Sequence, residues 1–456
     1  MARSEAPPAA ARALSSDETD RRAGAAAAAL ACMVGLAVAL GVGRFAFTPL
    51  LPLMLADGSV GLKAGSWLAS ANYAGYFAGA VSCAALRMAP ARMIRFGLAA
   101  TVLLTAAMGV GHLLAVWLVV RFVAGVVSAW TFVFVSQWGL RRLAELHAPE
   151  WGGVIYAGPG VGIVLTGLIG RALEGHRAAP GWLGFAALSA VLSIAIWRTF
   201  GSAPVAGSPA SGATPNVAGT SAFGAKPSVA GTPAFTATPH VAAVQSSGAT
   251  PHAVATAAAP SAPSEDPRRH RADAIGLVVL YGMPGFGYII TATFLPVIAR
   301  AALPAGSPWP DLFWPMFGAA LIVGALAAAR LPAHWDNRLL LAAGCATQAL
   351  GIAAGIVWPN AAGFSVGSAL LGLPFTAITL FAMRDARRLH GTRATGLMGY
   401  ATASYGVGQI LGPLVAAPLT ARFGSFTPAL GVAAAALVAG AAGFVAMAML
   451  GRRAAA

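Results

Sequence analysis

Long apolar stretches follow one another along this chain, and they decide the solvent in which it can fold. A membrane-crossing helix needs about 20 predominantly apolar residues. Runs of that kind lie near 25–55, 64–86, 94–113, 115–139, 151–173 and 179–200, then near 273–299, 309–330, 338–358, 361–383, 394–421 and 427–451. Only 9% of the 456 residues are charged while 58% are apolar, against about a quarter charged in a soluble domain. A water-facing surface could not be covered from such a sequence. The expected fold class is an all-α integral membrane protein, with twelve transmembrane helices arranged as two six-helix bundles.

The runs fall into two sets of six. The expected organisation is a disordered N-terminus (1–24), a first bundle (25–200), a disordered linker (201–272), a second bundle (273–451) and a short tail (452–456). The linker is rich in Ala, Pro, Ser, Thr and Gly, and it repeats VAGTSAFGAKP (217–227) as VAGTPAFTATP (229–239). A tract without large side chains cannot bury enough surface to offset the entropy of ordering.

The formal net charge of +15 would suggest a nucleic-acid partner if the basic residues clustered on one soluble face. They sit instead in short groups between apolar runs, so no nucleic acid is expected. With the N-terminus inside and twelve alternating spans, only Lys63, Arg171, Arg177, Arg300 and Arg422 fall in outer segments, and Arg44 and Arg121 fall within spans. All other Lys and Arg residues then lie on the inner side, as the positive-inside rule requires. Both termini and the linker are expected in the cytoplasm, in a bacterial inner membrane.

Other chemistry finds little footing. Cys32, Cys83 and Cys345 lie in apolar runs without a CxxC or Cys/His pattern, and the histidines lack HExxH spacing. No metal and no cofactor are expected. Gly363-Phe-Ser365-Val-Gly367 matches GxSxG, but within an apolar helical run rather than a strand-to-helix turn. There is no P-loop to drive transport with ATP.

The two sets of runs repeat each other. GVGRFAFTPLLP (41–52) and GFGYIITATFLP (285–296) share Gly41/Gly285, Gly43/Gly287, Leu51/Leu295 and Pro52/Pro296 in one register. At an offset two residues longer, Arg141-Arg142-Leu143 matches Arg387-Arg388-Leu389, and Gly160-Val161-Gly162 matches Gly406-Val407-Gly408. Matches at corresponding spans indicate a parallel duplication.

Over nearly the whole chain outside the N-terminal tail and linker, the sequence resembles the major facilitator superfamily. GVGRFAFTPLLPLM (41–54) followed by WLASANYAGYFAGA (67–80) is similar to its YbfB/YjiJ-type subgroup. Arg121-x3-Gly125 resembles the arginine-bearing motif of the fourth span, and Gly158-Pro159-x2-Gly162 part of the antiporter motif of the fifth. The loop at 87–95 keeps basic residues but lacks the usual Gly and Asp signature. The resemblance implies a rocker-switch carrier, with spans 1, 4, 7 and 10 lining a central cavity. Proton coupling is common in the superfamily, although proton relays use intramembrane Asp, Glu or His.

Arg44 is the sharpest candidate for contact with a solute. It lies well inside the first span, and a guanidinium there needs a partner or a water-filled cavity. Asp57, Glu150, Asp273 and Asp311 all sit at span ends, and no acid lies deep in any span. An anionic solute could supply the missing charge; the structural alternative is a bond to backbone carbonyls freed by Pro49 and Pro52. Tyr288, the counterpart of Arg44 in the second half, Arg121 and Asn72 complete the candidate substrate or gating residues. Gln137, Gln348, Tyr405 and Gln409 read as interhelical hydrogen-bonding groups. Gly158, Pro159, Gly162, Gly408, Gly412 and Pro413 read as helix-packing and gating positions. The function expected is movement of a small organic solute, anionic in character, by a monomer embedded in the lipid bilayer. A proton-coupled efflux antiporter and a non-transporting membrane sensor are the alternatives.

Overall fold

The computed structural model describes residues 9–201, 267–332, 334–390 and 394–453. Every regular element among them is helical. The first is α1 (Ala9–Leu36), which passes through a π turn (Ala37–Val42) and an irregular stretch (43–46) into α2 (Phe47–Ala56). There follow α3 (Leu62–Ser82), α4 (Pro90–Val110), α5 (Leu114–Glu145), α6 (Gly152–Ala172) and α7 (Ala178–Trp197). The later set is α8 (Pro267–Ala302), α9 (Phe313–Arg330), α10 (Asn337–Val357), α11 (Ala361–Gly372), α12 (Phe375–His390), α13 (Ala394–Phe423) and α14 (Thr427–Arg453).

Two expectations about the edges are corrected. Residues 9–24 and 267–272, expected without structure, are helical. A Glu18–Arg22 pair at i,i+4 (2.6 Å) and the alanine run at 25–29 favour helix on the first of these segments. Residues 202–266, the bulk of the expected linker, lie outside the described residues.

Among the described residues, ten helical segments are long and apolar enough to cross a membrane. Neither α3 nor α13 is among them, because Ser, Asn, Tyr and Gly replace aliphatic residues along α3, and Ser, Tyr, Gly, Gln and Pro do so along α13. That polarity is turned inward: Ser70, Asn72 and Gln409 are all buried. The two helices pack on each other, and α6 packs on α9, joining the earlier and later sets.

Side-chain bonds sort the helix ends. Asp57 accepts from the Ala178 amide (2.9 Å) and Arg171 donates to the Pro308 carbonyl (3.0 Å), placing those segments at one end. Burial works against the Asp57 carboxylate, but the Ala178 and Ser59 donors and nearby Arg177 together hold its pKa below the ordinary value. Arg338, Asp273, Asp385 and the Met447 carbonyl meet at the opposite end. Asp385 lies just past the expected 361–383 span and is wholly buried.

Very close backbone packing joins α3 and α5. A Cβ at Gly75 would run into the Phe122 carbonyl, and one at Gly125 into the Asn72 carbonyl. The later set repeats the device with Gly324 against the Leu373 carbonyl. Close backbone approach through small residues is how helices associate where lipid supplies no hydrophobic drive. We therefore expect Gly125→Leu to lose most monodisperse protein in detergent, because backbone cannot retreat as a flexible side chain does. Gly184→Leu is the control, as a Cβ there meets nothing within 4 Å. Equal yields of the two variants would refute the packing argument.

Candidate functional site

The break between α1 and α2 creates the site. Pro49 cannot donate to the Phe45 carbonyl, which removes one bond from the helical ladder and weakens it here. The chain widens to π geometry, with Gly43 donating to Val38 (2.9 Å) and Phe45 to Leu40 (3.0 Å). Such π turns strand carbonyls and re-aim side chains, and they collect at functional sites. Neighbouring donors take up the stranded groups. Ser128 Oγ bonds the Ala39 carbonyl (2.8 Å), and Arg121 reaches the carbonyls of Gly43 (3.4 Å) and Arg44 (3.3 Å). Asn72 Nδ2 in turn bonds the Arg121 carbonyl (2.9 Å).

This brace turns Arg44 inward. Its Nη2 donates to Gln409 Oε1 at 2.9 Å, and Gln409 Nε2 donates to the Tyr288 hydroxyl. The guanidinium carbon lies 4.1 Å from the Tyr76 ring centre, 5.1 Å from Tyr73 and 5.2 Å from Phe45. Cation–π contacts of this kind contribute about 0.5–2 kcal/mol each, which offsets much of the ~2.5–3.5 kcal/mol insertion cost of an arginine at mid-bilayer. Arg44 Nε is buried and has no hydrogen-bond partner.

Arg44 stands on the wall of a cavity of about 280 Å³. The wall also includes Phe45, Tyr76, Tyr156, Tyr281, Phe375, Thr376, Tyr405 and Gln409, and it reaches the helix ends at Gly152, Ala329 and Arg384. Among the described residues, its charged side chains are two arginines, Arg44 and Arg384, with no carboxylate. Toward the other end the helix sets close on each other. Thr48 bonds the Ala292 carbonyl (3.0 Å), Tyr73 meets Thr293 (2.9 Å), and the Phe45 and Trp314 rings lie 5.9 Å apart.

Of the residues singled out by sequence, Arg44 and Pro159 line the cavity, as do Tyr405 and Gln409, which were read as interhelical hydrogen-bonding groups. Arg121, Asn72 and Tyr288 stand behind the wall: Arg121 and Asn72 donate to backbone carbonyls, and Tyr288 accepts from Gln409 and packs on the Phe375 and Tyr405 rings. Gly158 and Gly162 pack against the Met33 carbonyl and Gly41, while Gly408 and Gly412 pack against α8 at Gly282 and Ile289. Pro413 lies inside α13. Spans 1, 4, 7 and 10 were expected to line the cavity, yet α3, α6, α9 and α13 supply much of the wall, and α5 and α8 give one residue each, Phe132 and Tyr281. Sequence reasoning passed over Tyr76, although it sits in the quoted WLASANYAGYFAGA segment. It also took Arg384 for a loop charge because the apolar run ends one residue earlier.

A closed-ended cavity between two packed sets of lipid-length helices, with a buried guanidinium on its wall, defines a multi-pass membrane transporter. A family model described as "Uncharacterised MFS-type transporter YbfB" matches residues 36–226 and 217–445, and the chain belongs to that family of the major facilitator superfamily. No curated protein matches the sequence. Among solved structures, the nucleoside transporter NupG in a mutant form is similar in fold, with a TM-score of 0.63 at 13% identity. The likeness covers 92% of this chain and 99% of that one.

Proposed function

We propose that this protein carries a small organic anion across a bacterial inner membrane by rocker-switch alternating access. In this reading α3 and α13 complete a set of twelve spans in two six-helix halves, and both termini and the central segment are cytoplasmic. The distribution of Lys and Arg supports that orientation. In it the Arg384 end faces the cytoplasm, so the cavity faces inward and the Thr48, Tyr73 and Phe45 contacts seal the outer side. Opening outward breaks that seal and closes the halves over Gly152, Ala329 and Arg384.

The observation that carries the anion reading is the edge of Arg44. Its Nη2 is bonded to a neutral amide, while the adjacent Nε has no partner. Those two N–H groups form the side-on fork that takes a carboxylate through two parallel bonds. A single amide oxygen satisfies one of them and leaves the other with its full desolvation cost. A carboxylate displacing Gln409 satisfies both. Cationic drugs are disfavoured, because a wall with two guanidiniums and no acid repels positive charge.

The test is uptake into reconstituted vesicles across organic anions, quaternary ammonium cations and a neutral nucleoside, with and without a pH gradient. The similar fold of a nucleoside transporter supplies the neutral competitor. Saturable anion uptake with no cation uptake is expected. Uptake of cations or of the nucleoside alone would overturn the reading.

A further inference from the structure

The chemistry of the wall goes further than its charge. Resting on the anion reading above, we propose that the solute is a small aromatic carboxylate: one flat ring bearing one carboxylate, with the carboxylate on Arg44 and the ring between aromatic side chains of the two halves.

Size sets the first limit. A cavity of about 280 Å³ sits at the lower edge of the usual range for ligand sites, which suits a small solute.

The second limit is the nature of the surface. Phe45 and Tyr76 line the cavity from the earlier helices; Phe375, Tyr281 and Tyr405 line it from the later ones. These rings are held by other rings, which fixes their planes before any solute arrives. Phe375 meets Tyr288 edge-on at 5.0 Å and 78°, and Tyr405 stacks on Tyr281 at 4.8 Å and 27°. A flat ring gains edge-to-face and stacking contacts worth about 0.5–1.5 kcal/mol per pair beyond its area. An alkyl chain gains area alone, and it gives up rotamer freedom on entry.

The third limit is polarity. Apart from Arg44, Gln409 and the mouth residue Arg384, the polar groups on the wall are hydroxyls of Tyr and Thr. A polyhydroxylated solute needs partners around its whole perimeter. The wall offers a charged fork at one point with ring faces beside it, and the hydroxyls of Tyr281, Thr379 and Thr402 are already bonded to each other or to backbone, which is a pattern that suits an aryl acid.

The experiment is calorimetric titration of the full-length chain in detergent with benzoate, hexanoate, cyclohexanecarboxylate and benzamide. Benzoate is expected to bind at least tenfold more tightly than hexanoate or cyclohexanecarboxylate, and benzamide not at all. In Phe375→Leu the benzoate preference over cyclohexanecarboxylate should fall severalfold. Hexanoate or cyclohexanecarboxylate binding as tightly as benzoate would overturn the aromatic inference and leave the anion reading standing. Benzamide binding as tightly as benzoate would overturn both. An unchanged preference in Phe375→Leu, with the variant eluting as a single sharp species, would also count against the proposed ring site.

Discussion

Arg44→Ala is expected to abolish anion uptake while leaving the protein folded. The variant deletes both donors of the carboxylate fork, and hydrogen bonds to a charged group contribute about 1.5–3 kcal/mol each. Losing roughly 3 kcal/mol corresponds to a fall on the order of a hundredfold in affinity. Folding should not suffer in proportion, because the alanine chain no longer carries the ~2.5–3.5 kcal/mol cost of an arginine at mid-bilayer. Gln409 keeps its bond to Tyr288. Arg44→Lys separates charge from geometry: an ammonium restores attraction without the planar fork, so uptake should recover in part. The measurements are initial rates in vesicles and thermal stability in detergent for the three proteins side by side. Wild-type rates in Arg44→Ala would show that the guanidinium is structural and that the solute binds elsewhere.

Arg44 was legible in the sequence because an arginine inside an apolar run is costly wherever the chain folds. Its partner was not. Gln409 stands 365 residues away, and nothing local separates a glutamine that binds another helix from one that faces a cavity. The π turn was invisible for a different reason. Pro49 announces a break, but whether the helix kinks, unwinds or widens depends on who accepts and donates around it, here Ser128 and Arg121 on α5. The resemblance to the arginine-bearing motif marked Arg121 without saying that its guanidinium would be spent on the Gly43 and Arg44 carbonyls.

Apolar runs locate helices by the lipid they displace, and so they miss what protein covers. The runs located most of the helices well. They cut α12 short at 383, where the helix runs on to His390. The seven residues lost include Arg384 on the cavity wall and the buried Asp385. The mean hydropathy of α3 and α13 falls short for the same reason, since both turn polar residues toward the other half of the protein.

The stability of the later helices is expected to hinge on Arg338. This side chain is 2% exposed, and it donates to Asp273 on α8 (2.7 Å), Asp385 on α12 (3.3 Å) and the Met447 carbonyl on α14 (3.0 Å). One guanidinium on α10 thus ties together the ends of four helices. Removing one partner of a buried ion pair costs about 3–5 kcal/mol, because the other charge is left without compensation. Asp385 is wholly buried, and its remaining partner, Arg388, has a side chain 56% exposed that water screens. Arg338→Ala should therefore lower the melting temperature in detergent on the order of ten degrees, at about 2–4 °C per kcal/mol for domains of this size. Asp385→Leu combined with Arg338→Met should recover much of that loss, since apolar replacement of a whole buried pair is often neutral or better. A double variant as unstable as the sum of the two singles would show that the two residues act independently, and that the network contributes through separate contacts rather than through the charge of Asp385. Transport offers a second readout. α12 carries Thr376 and Arg384 on the cavity wall, so a loosened α12 end should weaken anion uptake even at temperatures where Arg338→Ala remains folded.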